Sequence, residues 1–291
     1  MIAPAGRRRR LGAVRQHARI GSWATRTAVA VLVMILAAAF LGPYVAPHST
    51  SALVGIPYST PSGDFYLGTD YLGEDVFSRL LGGGRAVILF SAAATGLGYI
   101  VGGLIGLTAG FRRSWPDAVL MRSMDVLLAF PPILFLLLVA TGAGADVWAL
   151  VIAIAVIHVP SIARIVRTAA AEVAVRGYVE AAIARGDSTL VILRREILPN
   201  IWPAVAADAG PRFTVSILLV AAVNFVGVGL APPAADWALM ISENRAGISI
   251  NPWAVVSPAV MIGALTVSIN ILADALAAGL GRSTRPEVIP R

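Results

Sequence analysis

Apolar residues do not alternate with polar ones along most of this chain; they run on. Six stretches, at about 27–47, 86–110, 119–142, 146–166, 204–230 and 253–280, carry few charges. Each is long enough to cross a bilayer as a helix, which takes roughly 20 residues. A segment apolar on every side has no wet face to turn to water, and in lipid a helix satisfies its own backbone polar groups. The pattern predicts an all-α, polytopic membrane protein with six transmembrane helices over 27–280, a basic tail 1–26 and a C-terminal tail 281–291.

Composition supports that class and removes several functions. Of 291 residues, 57% are hydrophobic and 13% charged, against about 25% charged in soluble domains. Cysteine is absent, which excludes disulfides, thiol catalysis and thiolate metal sites. His17, His48 and His158 lie far apart and form no metal-ligand spacing. All 23 basic residues are arginine, so there is no lysine for a phosphate-binding P-loop. The net charge of +7 is scattered between apolar runs rather than clustered, which is not the footprint of a nucleic-acid binder. No nucleophile–base pair is legible, so no catalytic residue is assigned.

The scatter of charge has a topological reading. Arginine excess marks the first tail (Arg7 to Arg10, Arg15, Arg19, Arg26), the turn 111–118, the stretch 164–200 with six arginines against four acids, and the last tail. The connections between these are acidic or nearly neutral: loop 48–85 with Asp64, Asp70, Glu74 and Asp75, then Asp146, then Asp236 and Glu243. Positive loops stay in the cytoplasm, so both termini and the loop 168–200 are expected inside and loop 48–85 outside. A basic start followed by an apolar run also describes a signal peptide. The first run is about 20 residues, longer than the ~7–15 of a signal core, which favours a retained span. The acidic cluster Asp70, Glu74, Asp75 reads as part of a solvated loop.

Inside the spans, Pro131 and Pro132 predict a kink in the third helix, either a packing feature or a hinge. Arg122 and Asp125, three apart, are placed to pair. Asp208 and Arg212, four apart, need pairing or a wet cavity, so they are structural or line a pathway. His158 reads as a buried structural imidazole.

The stretch 178–200, "YVEAAIARGDSTLVILRREILPN", breaks the pattern. Helix-prone residues lead to Gly186, a residue suited to the left-handed turn after a helix. Asp187 or Ser188 is placed to cap a second short helix with Leu190, Leu193 and Ile197 on one face, closed by Pro199. This is either a docking knob or a solvated connection.

Those residues resemble a family. Glu180-Ala181-Ala182, Gly186 and Leu198-Pro199 look like the EAA loop of importer-type ABC permeases. "LGTDYLGEDVFSRLLGGGRAVIL", "DAVLMRSMDVLLAFPPILFLLL", "VPSIARIVR", "NFVGVGLAPPAADWALMI" and "PWAVVSPAVMIGALTVSINILADAL" follow, in order, blocks of the dipeptide, oligopeptide and nickel importer permeases (DppC/OppC type). There are departures: Glu74 stands where arginine is usual, Glu196 where histidine is common, Val220 where an acid often sits, and "LADALAAGLG" lacks the usual charges.

The resemblance implies the importer-type permease fold in a bacterial inner membrane. It implies a path shared with a second permease, two cytoplasmic ATPase subunits that hold ATP and Mg, no cofactor on this chain, and an extracytoplasmic substrate-binding protein. The EAA loop would be the coupling helix, with Glu180, Ala181, Ala182, Gly186, Leu190, Leu193, Leu198 and Pro199 at the ATPase contact. Di- or oligopeptides are the expected cargo, with nickel or another small solute as the alternative. An ATP-independent secondary transporter is the rival from another class, although no repeat joins the two halves.

The cysteine-free chain permits a direct test of orientation. A cysteine at Ser62 is expected to react with an impermeant thiol reagent from outside intact cells, and one at Arg282 to react only after permeabilisation. The reverse pattern overturns the assignment.

Overall fold

The computed structural model describes residues 23–112, 115–143, 146–227, 229 and 233–283. The arginines of 1–22, Arg113, and Arg285, Glu287 and Arg291 of the last tail lie outside the described residues. The helices are α1 (Trp23–Val45), α2 (Val76–Gly82), α3 (Gly84–Arg112), α4 (Trp115–Leu128), α5 (Pro132–Ala143), α6 (Val147–Ala174), α7 (Gly177–Ala184), α8 (Thr189–Ile192), α9 (Leu198–Val226), α10 (Trp237–Asn244) and α11 (Trp253–Ser283). Among the described residues the only β features are two isolated bridges, Leu53 to Glu74 and Thr69 to Asp75.

Five segments are long and apolar enough to cross a membrane: Trp23–Val45, Val76–Phe111, Val147–Ala174, Thr189–Val226 and Trp253–Leu280. The pair Leu120–Leu128 and Pro132–Ala143 is bent by 85°, and it makes a sixth crossing only if its two halves form one span. The kink expected at Pro131 and Pro132 is therefore a full break. Each proline lacks an N–H, and the residue before a proline is pushed out of the helical region, so two in succession stop α4 and let Pro132 open α5. One buried core joins the spans, with Ile35 and Ala39 of α1, Val87 and Ala94 of α3, Ile154 of α6, Ile217 of α9 and Leu265 of α11. Large apolar side chains such as Met34, Leu138 and Val260 remain exposed on the outside of the bundle, as an element facing lipid or another apolar subunit requires.

The tightest contact lies between α3 and α6, which run parallel. Gly98, Gly102, Gly106 and Gly110 recur every fourth residue, on one face of α3. A β-carbon at Gly102 would fall 2.8 Å from the carbonyl oxygen of Val159, at Gly106 2.6 Å from that of Ala163, and at Gly110 2.5 Å from that of Arg167. Only a hydrogen fits there. Lipid gives no hydrophobic drive to press helices together, so close backbone approach through small residues is the available source of packing energy.

At one end of the bundle, the loop after α1 folds down onto α2 and α10. Asp75 caps α2, accepting from the Phe77 and Ser78 amides, and Asp236 caps α10, accepting from those of Ala238 and Leu239. Trp237 is fully buried, and its Nε1 donates to the Leu80 carbonyl at 2.8 Å. Its ring occupies the space left by Gly84, where a β-carbon would meet it at 2.3 Å. Asp70, Glu74 and Asp75 are not solvated, contrary to the sequence expectation: each is 2% exposed or less. Arg79, itself 1% exposed, gathers Asp70 and Glu74 on Nη1 and Glu243 on Nη2. A buried guanidinium needs this company, since each charge taken from water costs several kcal/mol unless paired.

The glycine seam predicts opposite responses from neighbouring positions. Gly106→Ala should destabilise the solubilised protein by about 1–3 kcal/mol through overpacking. Gly103→Ala, where a β-carbon meets nothing within 4 Å, should be neutral or stabilising by up to about 1 kcal/mol. Thermal unfolding in detergent distinguishes the two, and equal responses would show that the seam is not the controlling contact.

Candidate functional site

The bundle end opposite the Arg79 cluster carries a compact projection built from residues 175–200. α6 ends at Ala174, the chain turns through Val175 and Arg176, and α7 begins, with the Val179 and Glu180 amides donating to the Arg176 carbonyl at 2.8 and 3.1 Å. Glu180 lies in the first turn of α7, where negative charge opposes the positive end of the helix. α7 then stops at a left-handed residue, Gly186, with φ +80°. The Gly186 amide donates to the Ile183 carbonyl at 2.9 Å and the Asp187 amide to that of Ala182 at 3.1 Å, the two bonds of a Schellman closure. Gly186 is needed for its φ alone, because a β-carbon there would stand in open space.

Two faces of the projection divide its residues. Val179 and Ala182 of α7, with Ile192, Ile197 and Ile201, pack against Ile162, Val166, Ala170 and Val173 of α6, and Leu107 and Phe111 of α3 close the side. The outer face presents Tyr178, Glu180, Ala181, Ile183, Leu190 and Val191. Ala181 is therefore outward, whereas Ala182 is fully buried and serves the internal contact. Leu198 is half-buried and Pro199 exposed at the root of α9.

One expectation about this stretch is corrected. Leu190, Leu193 and Ile197 do not share a face: Leu190 is 74% exposed, Leu193 is half-buried and Ile197 is buried. The cause is a π turn over Leu193–Ile197, in which the Leu198 amide donates to the Leu193 carbonyl. The wider turn adds a residue to the period and rotates the register. It lies where Pro199 offers no N–H to the carbonyl four residues back. The register shift leaves Leu190, Val191, Arg194 and Arg195 around a shallow concavity on the projection. Ser188 holds the N-cap position of α8 without a side-chain cap bond, and Asp187 pairs with Arg185 at 2.9 Å.

Several charged and polar groups of the spans find partners that the sequence did not single out. Asp125 pairs across to Arg164 of α6, not to its neighbour Arg122, which is exposed. Asp208 and Arg212 do pair, Nε lying 3.1 Å from both carboxylate oxygens, and Tyr99 of α3 donates to Asp208 at 2.8 Å. His158, 1% exposed, lies 2.8 Å from the Ser216 hydroxyl, itself 2.7 Å from that of Thr95. The signal for this set was a four-residue spacing on two helices, Thr95 and Tyr99 on α3 against Asp208, Arg212 and Ser216 on α9. Among the described residues no group of three or more His, Cys, Asp or Glu side chains is placed to hold a metal ion.

The sequence profile of the binding-protein-dependent transport system inner membrane component matches residues 102–286. A glutathione transport system permease protein, GsiD, of Pectobacterium atrosepticum is 32% identical over 84% of this chain and 82% of its own length. Its counterpart in Escherichia coli is 32% identical over 86% and 83%. A Brucella abortus protein with a provisional peptide-permease name is 33% identical over 75% and 73%. In fold, the chain is similar to one in inward-facing structures of the MetNI methionine ABC transporter, with TM-score 0.56 and 18% identity over 67% of this chain and 93% of that one. Five long apolar helices with a sixth, broken pair, a helical projection at one end and these likenesses agree: the chain belongs to the binding-protein-dependent transport system inner membrane component family, and is a multi-pass permease subunit of an ABC importer.

Proposed function

We propose that this permease imports short peptides and that residues 177–200 couple it to ATP hydrolysis on partner subunits. The observation that carries the coupling assignment is the rigid projection itself. A Schellman-closed helix with an exposed outer face is rooted by Val179, Ala182 and Ile197 in the same core as α6 and α9. A push on its surface is thereby delivered to two spans at once. Glu180, Ala181, Leu190 and Val191 form the docking face, and Gly186 sets its angle. Ala182, Leu193, Leu198 and Pro199 act from beneath by fixing the projection to the bundle. The ATPases carry ATP and Mg, a second permease completes the path, and both termini lie with the projection in the cytoplasm. Membership of a binding-protein-dependent family sets aside the secondary transporter.

The peptide assignment draws on the glutathione and peptide names of the relatives, which favour it over nickel. The path runs beside the broken third span, where Phe130, Pro132, Phe135 and Leu138 line an apolar concavity, and beside Tyr99 and the Asp208–Arg212 pair. A largely apolar wall with a few fixed polar groups suits cargo that must be released after brief contact.

Two experiments test these assignments. Gly186→Val places a β-branched side chain in a left-handed conformation at a cost of about 1–2 kcal/mol, and Glu180→Arg reverses charge on the docking face. In the assembled transporter both variants should insert and assemble normally yet lose most transport, with binding-protein-stimulated ATP hydrolysis reduced or uncoupled; wild-type transport by both sinks the coupling assignment. Deletion of the gene should abolish uptake of di- or tripeptides. Loss of nickel or sugar uptake with peptide uptake intact would refute the cargo.

A further inference from the structure

The Arg79 cluster has an unbalanced composition. One guanidinium stands among Asp70, Glu74 and Glu243, and all four side chains are 8% exposed or less. Fully ionised, the group would hold a net charge of −2 in a site that water barely reaches, and two carboxylates on one guanidinium nitrogen repel each other. A proton relieves both problems.

The donors around each carboxylate show where the proton belongs. Asp70 Oδ1 accepts the Leu72 and Glu74 amides, each at 2.9 Å, while Oδ2 faces Arg79. Glu243 accepts from Arg79 Nη2 at 2.9 Å and from the Tyr71 hydroxyl at 3.3 Å. Glu74 has only Arg79, through an oxygen beside that of Asp70. It has the fewest donors for a charged form and a neighbouring acceptor for an acid proton. The remaining groups are accounted for. Tyr58 lies toward Asp70, and the Tyr71 phenol is pushed up to about 12, chiefly by burial, then by Glu243. His48 lies 3.4 Å from Asp75, one bridge away.

The cluster also fastens a segment. Asp70 and Glu74 belong to the loop after α1, and Glu243 belongs to α10. The same contact includes the Tyr71 amide donating to Asn244 Oδ1 at 2.9 Å, and Asn251 Nδ2 donating to the Leu67 and Thr69 carbonyls at 2.9 and 3.0 Å.

We infer that Asp70, Glu74, Arg79 and Glu243 form a proton-binding site that clamps residues 53–75 onto α10 when the proton is bound and loosens them when it leaves. The proton comes from bulk water, converts the Glu74 carboxylate to an acid, and is shared with Asp70 Oδ2. Consistent with this, burial first, opposed by Arg79 and reinforced by Asp70 and Glu243, pushes Glu74 up from 4.5 to about 7; burial also raises Glu243. Because the docked pKa lies above that of the released loop, the stabilisation is complete below about 4.5 and is lost as pH rises through about 7. The inference does not depend on cargo or on ATPase coupling, and its test needs neither.

Hydrogen exchange of residues 53–75 in the full-length chain, in lipid nanodiscs, tests the site. After correction for intrinsic exchange, wild-type protection should fall by about tenfold per pH unit between pH 5 and 7, the slope of one proton. Glu74→Gln keeps the shape and supplies an amide N–H in place of the acid O–H. Its loop should remain protected at pH 8 and show no such slope. Wild-type protection that is flat from pH 5 to 8 overturns the inference, as does a Glu74→Gln loop less protected than wild type at pH 8. If the variant does not fold, the wild-type slope decides alone, supported by infrared titration of the protonated carboxyl band, whose absence at pH 5 would also overturn it.

Discussion

The approach of α3 to α6 along four glycines is the contact on which the rest of the molecule depends. In water, burial of apolar surface would hold two such helices together; in lipid that term is nearly absent, and packing and hydrogen bonds must act at short range. The glycines let the α3 backbone lie against the carbonyls of Val159, Ala163 and Arg167. The pair is stiff, and it connects the two ends of the protein. α3 starts beneath Trp237 and the Arg79 cluster, and α6 ends at the turn into the projection of residues 175–200.

The two ends use different chemistry because they face different demands. The projection is held from below by aliphatic packing and closed by a backbone motif, which leaves its outer face free of structural duty. The opposite end is held by charge. Arg79 and its carboxylates bind loop, α2 and α10 in one contact, and that contact is stable only while its ionisation balances. Between them, several polar groups of the spans meet side chain to side chain across helices: Tyr99 to Asp208, Thr95 to Ser216 to His158, Arg164 to Asp125. Such pairing lowers the cost of holding a charged or polar group at membrane depth.

Reading the sequence succeeded where a local rule decides the outcome. The long apolar helices follow from run length, five of them whole and one pair broken at Pro131 and Pro132, and the stop at Gly186 follows from its freedom to adopt positive φ. The Asp208–Arg212 pair follows from helical spacing. The reading failed where the partner is distant in the chain. Arg122 was the near choice for Asp125, but Arg164 on another helix is the actual one. The acidic triplet 70–75 looked solvated because the segment that covers it, with Glu243, comes from α10, far along the chain.

The sequence by itself determined the class, the long apolar helices, the place of the projection and the family resemblance. These rest on properties that each segment carries alone: length, apolarity, and the conformational preferences of glycine and proline. Only the tertiary structure decided which face of the projection is free, because a π turn at Leu193–Ile197 changes the period without changing the residues. It also decided which charges are buried. Burial is a property of what lies above a side chain, and for Glu74 that cover comes from elements far along the chain.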